Sequence, residues 1–232
     1  MVKSAFILMS KLVYSDRYIA VVHKPAGWTV YPEGSGDDAQ SWLREKFASP
    51  VFPVHRLDKD TCGLLAFARD PRTASAIQAH FRGRQIEKVY RAIVLGSVEK
   101  PEGVIKTPLK ANKTGRLESA ETRFLCLGGL GRPGTKPLTL DGETFSILEV
   151  RPQTGRYHQV RRHLREIGHP IAGDARYGRD DVNEKLKKRF GVGRTMLSAV
   201  GLAFQHPIIG RAIRIKTTPD PDFEQFRRRL ER

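Results

Sequence analysis

Strand-like stretches outnumber helical ones in this chain and come in neighbouring pairs, which favours a mostly antiparallel sheet with helices packed beside it. Residues 12–23 read as two strands around a Ser15-Asp16-Arg17 turn, stopped by Lys24-Pro25-Ala26-Gly27. A mostly apolar strand follows at residues 63–69 and an alternating one at 87–95, with further strands at 120–127, 143–151, 199–204 and 212–217. Helices are predicted where a capping residue precedes apolar periodicity. Asp37 and Asp38 can cap a short helix through Trp42 and Phe47. Asp70-Pro71 opens a second, ended by Gly83, with Ala74, Ile77 and Phe81 as its buried stripe. Residues 157–167 form a third, stopped by Gly168 and Pro170, and the tail from Asp222 aligns Phe223, Phe226 and Leu230 on one side. Residues 128–137, rich in Gly and Pro, read as a loop. There is no internal repeat and no clear linker. Residues 1–232 are therefore expected to form a single domain of the α+β class.

Charge narrows the choice of partner. A chain of 232 residues can bury a real core, yet 41 Lys+Arg against 25 Asp+Glu leave a formal charge of +16. That excess repels itself, so it points to a polyanion, with nucleic acid first and an anionic membrane second. No long apolar run and no lipidation signal supports the membrane. Ala5-Phe6-Ile7-Leu8-Met9 is too short for a signal-peptide core and lacks a small-residue cleavage site. Cys62 and Cys126 make neither a disulfide framework nor a CxxC pair. A cytoplasmic, monomeric protein is expected.

The segment His55-Arg56-Leu57-Asp58-Lys59-Asp60-Thr61-Cys62-Gly63-Leu64-Leu65 holds a carboxylate two residues after an arginine and just before an apolar strand. Loops that enter strands in this way present polar groups from a rigid support. On residues alone, Asp58 could equally be a turn carboxylate, and Asp60 reads as a turn residue. In the strand at 87–95, Lys88, Tyr90 and Ala92 share one face, so Tyr90 borders either a hollow or a wet surface. On the third helix Val160, Leu164 and Ile167 make the apolar stripe, and Arg161 lies about 100° round from Val160. His158 and Arg165 share the side of Arg161, which could be no more than a solvated basic face. Arginines 151, 156, 161, 162 and 165 crowd this stretch beside a helix start, a natural phosphate site. His158 and His163 are five apart rather than four, with arginines between them, so no metal site is expected.

The Asp58 segment resembles the H-R-L-D-x-x-T-S-G signature of the RluA-type pseudouridine synthases. So, in the same order, do His23-Lys24-Pro25-Ala26-Gly27, Lys88-Val89-Tyr90-Arg91-Ala92, Thr154-Gly155-Arg156-Tyr157-His158-Gln159-Val160-Arg161 and Gly168-His169-Pro170-Ile171-Ala172-Gly173-Asp174. The resemblance spans nearly the whole chain. It implies a long, mostly antiparallel mixed sheet with flanking helices around a central RNA-binding cleft, and isomerisation of uridine to pseudouridine in structured tRNA or rRNA. It also implies roles. Asp58 would be the essential aspartate, Tyr90 would stack on the flipped uracil, and Arg161 would pair with Asp58. Arg56 would enter the RNA stack and Leu197 would pack at the pocket floor. His55, Lys88, Arg156, His158 and Arg162 complete the expected RNA contacts. Cys62 and Ser198 depart from the family's usual serine and histidine.

The reaction is redox-neutral, so neither cofactor nor metal is required. Because the resemblance starts near Leu12, no S4 RNA-binding domain is expected before it. The sequence leans towards the compact tRNA-acting branch of the family, TruC-like in type. Two other functions fit the charge: an RNA-binding protein without catalysis, and an N-glycosidase that releases uracil from nucleic acid.

Overall fold

A computed structural model describes residues 11–112 and 114–232; the apolar stretch at residues 5–9 lies outside the described residues. Its elements are β1 (Lys11–Ser15), β2 (Ile19–Lys24), α1 (Ala39–Phe47), β3 (Phe52–Pro53), β4 (Cys62–Ala68), α2 (Pro71–Arg82) and β5 (Glu87–Leu95). There follow β6 (Glu102–Ile105), β7 (Leu109–Lys110), β8 (Leu117–Glu118), β9 (Thr122–Gly128), β10 (Leu138–Leu140) and β11 (Glu143–Pro152). Then come α3 (Gln159–Glu166), α4 (Asp180–Phe190), β12 (Leu197–Gln205), β13 (Ala212–Lys216) and α5 (Pro221–Leu230). The class is α+β with mostly antiparallel pairing, as the sequence predicts. Two compact units emerge. One runs through Glu87 and takes back Ala199–Thr218; the other comprises Lys88–Ser198 and Pro219–Arg232.

In the first unit the strand order is β1-β2-β4-β12, with β3 on β4 and β13 on β12. Asp16 shapes the β1–β2 turn. Its carboxylate accepts the backbone N–H of Tyr18 and Ile19 at 2.7 and 2.8 Å and the Tyr14 hydroxyl at 2.5 Å. Strand β4 is buried along its whole length, which explains why it reads as a continuous apolar run instead of alternating. Asp70 caps α2 by accepting from the Thr73 amide at 2.8 Å. The helix thereby turns Ala74 and Ile77 into a core shared with Ile19, Leu64, Ala66, Leu202 and Phe204. Burying Ile77 stabilises the unit by roughly 1.5–3 kcal/mol.

In the second unit the order is β5-β11-β9-β6, with β10 on β11. Helix α3 buries Val160 and Leu164 over this sheet, and α5 sets Phe226 edge-on to Phe145 with ring centres 5.6 Å apart. The sequence pattern anticipated neither α4 nor the short strands. Arg179, at the start of α4, gives no side-chain cap, and only Val182 and Leu186 are buried along a highly charged helix. Strands β3, β6, β7, β8 and β10 have two to four residues, too few to show alternation. The helix predicted over 157–167 begins at Gln159, because His158 takes a left-handed backbone (φ 52°) that no regular helix accommodates. Among the described residues no helix is long and apolar enough to cross a membrane.

Candidate active site

Asp58 rides on the loop from β3 to β4. Its closing turn has the Thr61 amide donating to the Asp58 carbonyl at 3.1 Å. Leu57 and Thr61 are buried, Asp58 is half-buried, and Arg56, Lys59 and Asp60 are exposed. His55 points its ring into the unit: Nε2 accepts the Ala66 amide at 3.0 Å and the ring lies against Phe81. Just after Cys62, Gly63 sits at φ 113°, and any Cβ there would collide with the Ala199 backbone. A glycine is therefore required where β4 meets β12.

The strongest support comes from Lys24, whose side chain is fully buried. Its ammonium donates to the carbonyls of Pro25 (3.0 Å), Trp28 (2.8 Å) and Lys59 (3.1 Å). The Gly27 amide also donates to the Lys59 carbonyl, at 2.9 Å. Three N–H donors thus meet three carbonyls, which is what a buried ammonium needs to offset desolvation. The residue beside Asp58 is thereby clamped to the Lys24-Pro25-Ala26-Gly27 turn. Sequence reading gave Lys24 no role. The available signals were its place at the end of a largely apolar strand and within the family-like segment His23-Lys24-Pro25-Ala26-Gly27.

The other candidates belong to the second unit. On β5, Lys88 and Tyr90 are half-buried and Ala92 is fully buried, so their shared face grades from partly wet to core. The Lys88 ammonium donates to the Thr154 carbonyl at 3.0 Å, and burial pulls its pKa down to about 8. Tyr90 packs on the hydrophobic core beside β11, opposite Val150.

Arg161 is not on a solvated face; it is 7% exposed. It makes a two-pronged ion pair with Asp174, Nε to Oδ2 at 2.7 Å and Nη2 to Oδ1 at 2.8 Å. Asp174 has no exposed surface and also accepts the amides of Arg176 and Tyr177 at 2.9 and 3.0 Å. Burial pushes its pKa up, but the bonds and charge of Arg161 and the two amides outweigh that and hold it below the usual carboxylate range. The family resemblance implies a pairing of Arg161 with Asp58; Asp174 as a partner of Arg161 has no place in that expectation. The missed signal lay in the Gly173-Asp174 turn, where a Cβ on Gly173 would strike the Arg194 carbonyl.

The neighbouring cations are engaged too. Arg156 pairs with Glu118 at 2.8 Å and donates to the Ser119 carbonyl at 3.1 Å, so a phosphate must compete with Glu118 for it. Arg162 donates to the carbonyls of Lys110 and Tyr157. His158 lies 3.2 Å from the Tyr177 hydroxyl, and Leu197 is buried in the core at the start of β12. His163 is wholly buried between Thr122 Oγ1 and the Thr107 carbonyl, and burial depresses its pKa. Among the described residues, no group of three or more His, Cys, Asp or Glu side chains could hold a metal ion.

Solved structures share this fold. Human RNA Pseudouridylate Synthase Domain Containing 1 superposes with a TM-score of 0.74 at 23% identity, covering 96% of this chain and 94% of that one. A family model described as RNA pseudouridylate synthase matches residues 18–166. The chain belongs to the RNA pseudouridylate synthase family, and it is an RNA-modifying isomerase. Within the family it is 33% identical over 238 residues to the tRNA pseudouridine synthase C of Vibrio parahaemolyticus, covering 95% of both proteins. It is also 32% identical over 226 residues to the ribosomal large subunit pseudouridine synthase C of Pasteurella multocida, covering 94% of this chain and 67% of that protein.

Proposed function

We propose that this protein converts one uridine of a tRNA to pseudouridine, with Asp58 as the catalytic carboxylate. The observation that carries the reading is the clamp on the Asp58 loop. A half-buried carboxylate is presented on a turn whose adjoining carbonyl, that of Lys59, is fixed by a fully buried ammonium. Pre-positioning of this kind is what a reaction at a sugar carbon requires. The preference for tRNA rests on the relatives named tRNA pseudouridine synthase C, which match almost end to end.

The chemistry breaks the N1–C1′ bond, turns the uracil and joins C5 to C1′; C5 gives up its proton and N1 takes one up. One carboxylate serves either route, by attacking C1′ or by taking the C2′ proton. Tyr90 supplies a ring for the flipped base, and Arg161 supplies a cation to the reacting site. Exposed Arg56 fills the gap that the departing base leaves; a planar guanidinium offsets part of the few kcal/mol that flipping costs. Lys88, Arg156, His158 and Arg162 complete the RNA-facing set, and His55 and Leu197, both turned inward, support it from the core. In this reading residues 1–232 act as one catalytic domain, as a cytoplasmic monomer.

The test is product analysis. Incubated with tRNA transcripts carrying C5-tritiated uridine, the enzyme should release tritium and leave pseudouridine detectable by mass spectrometry after derivatisation. Free uracil would instead identify a glycosidase. Binding with no product would identify a carrier. Activity on ribosomal RNA fragments alone would move the substrate to the ribosome.

A further inference from the structure

We propose that Tyr157, His158, Arg176 and Tyr177 form a second nucleotide subsite, which takes the base and phosphate of a residue flanking the target uridine. The proposal rests on the RNA reading above and deepens it.

The four side chains converge within the second unit. Tyr157 and His158 stack at 3.7 Å between ring centres, 21° from parallel. Tyr177 meets His158 edge-on at 5.6 Å, with its hydroxyl 3.2 Å from Nδ1. The Arg176 guanidinium lies 5.8 Å from the Tyr157 ring centre and 5.6 Å from that of Tyr177, and Nη1 donates to the Tyr157 hydroxyl at 3.3 Å. Arg176 is exposed, yet among the described residues no carboxylate lies within ion-pair distance of it.

Arg179, three residues on, is neutralised by Asp181 and Glu143. Arg176 is instead fixed by two aromatic rings, which leave its charge available.

The backbone beneath is built to hold this arrangement. Buried Asp174 accepts the amides of Arg176 and Tyr177, while its own carbonyl accepts the Gly178 amide and the Asn183 side-chain amide, each at 2.9 Å. Asn183 Oδ1 accepts the Gly173 amide, also at 2.9 Å. On the other side, His158 holds the left-handed backbone that places it next to Tyr157, a conformation non-glycine residues seldom adopt.

A half-buried aromatic pair beside an uncompensated, oriented guanidinium matches a single-stranded nucleotide. The base stacks on the Tyr157 side and the phosphodiester takes the guanidinium's N–H donors. Both contacts are made before chemistry, so they act on KM more than on kcat.

The test joins protein and RNA substitutions. The target uridine is first located in a tRNA transcript modified by the wild-type enzyme. Hairpins containing it are then made with a single abasic residue at each flanking position in turn. At one position the abasic change should raise the wild-type KM about tenfold, the scale of one lost base stack. Tyr157→Leu should raise KM by a similar factor on the intact hairpin, and the two changes together should cost no more than either alone. Tyr157→Trp, which keeps a stacking ring, should stay near wild-type and so controls for folding. Arg176→Gln should lower the salt dependence of binding by about one phosphate, roughly 0.7 in log–log slope. Additive losses at every flanking position, or wild-type KM and salt slope in both Tyr157→Leu and Arg176→Gln, would overturn the subsite while leaving the synthase reading intact. Absence of pseudouridine with the wild-type enzyme would remove that reading and the subsite with it.

Discussion

Lys24 and Arg161 are both buried cations at segments that carry candidate chemistry, and they are held by opposite means. Lys24 is met by three backbone carbonyls and fixes the course of the chain beside Asp58. Arg161 is met by a carboxylate, Asp174, which in turn organises the Arg176-Tyr177 backbone. A carbonyl clamp fixes where the chain goes. An ion pair fixes where a charge sits and depends on both partners staying ionised. The comparison teaches that a buried cation is read through its acceptors, and it separates the expected consequences of losing each one.

The largest effect should come from the group that the clamp presents. Asp58→Asn is expected to abolish pseudouridine formation while RNA affinity stays within a few-fold, because binding comes from the basic groups. Tritium release and a filter-binding assay check both halves. Turnover near wild-type would show that the clamped loop has another purpose.

Arg161→Ala strands a buried carboxylate and should destabilise the fold by about 3–5 kcal/mol near pH 7. The sign with pH is informative. In the wild type the folded Asp174 pKa is depressed, so its contribution is present above the ordinary carboxylate value and lost as pH falls through the folded one. Without Arg161, burial is left to push the pKa up, and the variant should recover stability relative to wild-type as pH falls. Denaturant titrations at pH 7 and pH 4 measure this. A penalty that does not shrink on acidification would remove the ion pair from the explanation.

Lys24→Met should cost less in stability, about 1–3 kcal/mol for carbonyls left without a donor. Its larger consequence should be on turnover, of order a hundredfold, if the loop drifts by about 1 Å. A variant as active as wild-type would show that the Asp58 loop holds itself.

A further effect concerns Lys88. Its folded pKa of about 8 lies below the ordinary 10.5. Below about pH 8 the fold therefore bears the full cost of a buried charge. Between pH 8 and 10.5 the unfolded chain holds the extra proton, so stability should rise with pH. Lys88→Met should flatten that rise, measurable as the change in unfolding midpoint across the same window.

Much of the scaffold was legible because its causes are local. Asp38 and Asp70 cap helices through amides three residues on, and Asp16 shapes a turn within three residues, all inside the window that a sequence pattern covers. The alternation of β5 and the apolar run of β4 announced their strands, and the ordered motifs announced the family. Helix α4 was hidden because its cap is missing and its apolar stripe is two residues wide.

For the site, residue order sets which side chains are available: a carboxylate in a loop, a tyrosine on a strand, arginines along a helix. Only the tertiary structure decided what each one meets. Lys24 reaches a carbonyl 35 positions away and Arg161 a carboxylate 13 away. Arg91 pairs with Glu149 across neighbouring strands, 58 positions apart. Partners at such separations are chosen by the packing of strands and helices, which places distant backbone groups within 3 Å. Residue order alone records neither their distance nor their burial, and those two quantities decide whether a charge is solvated, clamped or paired.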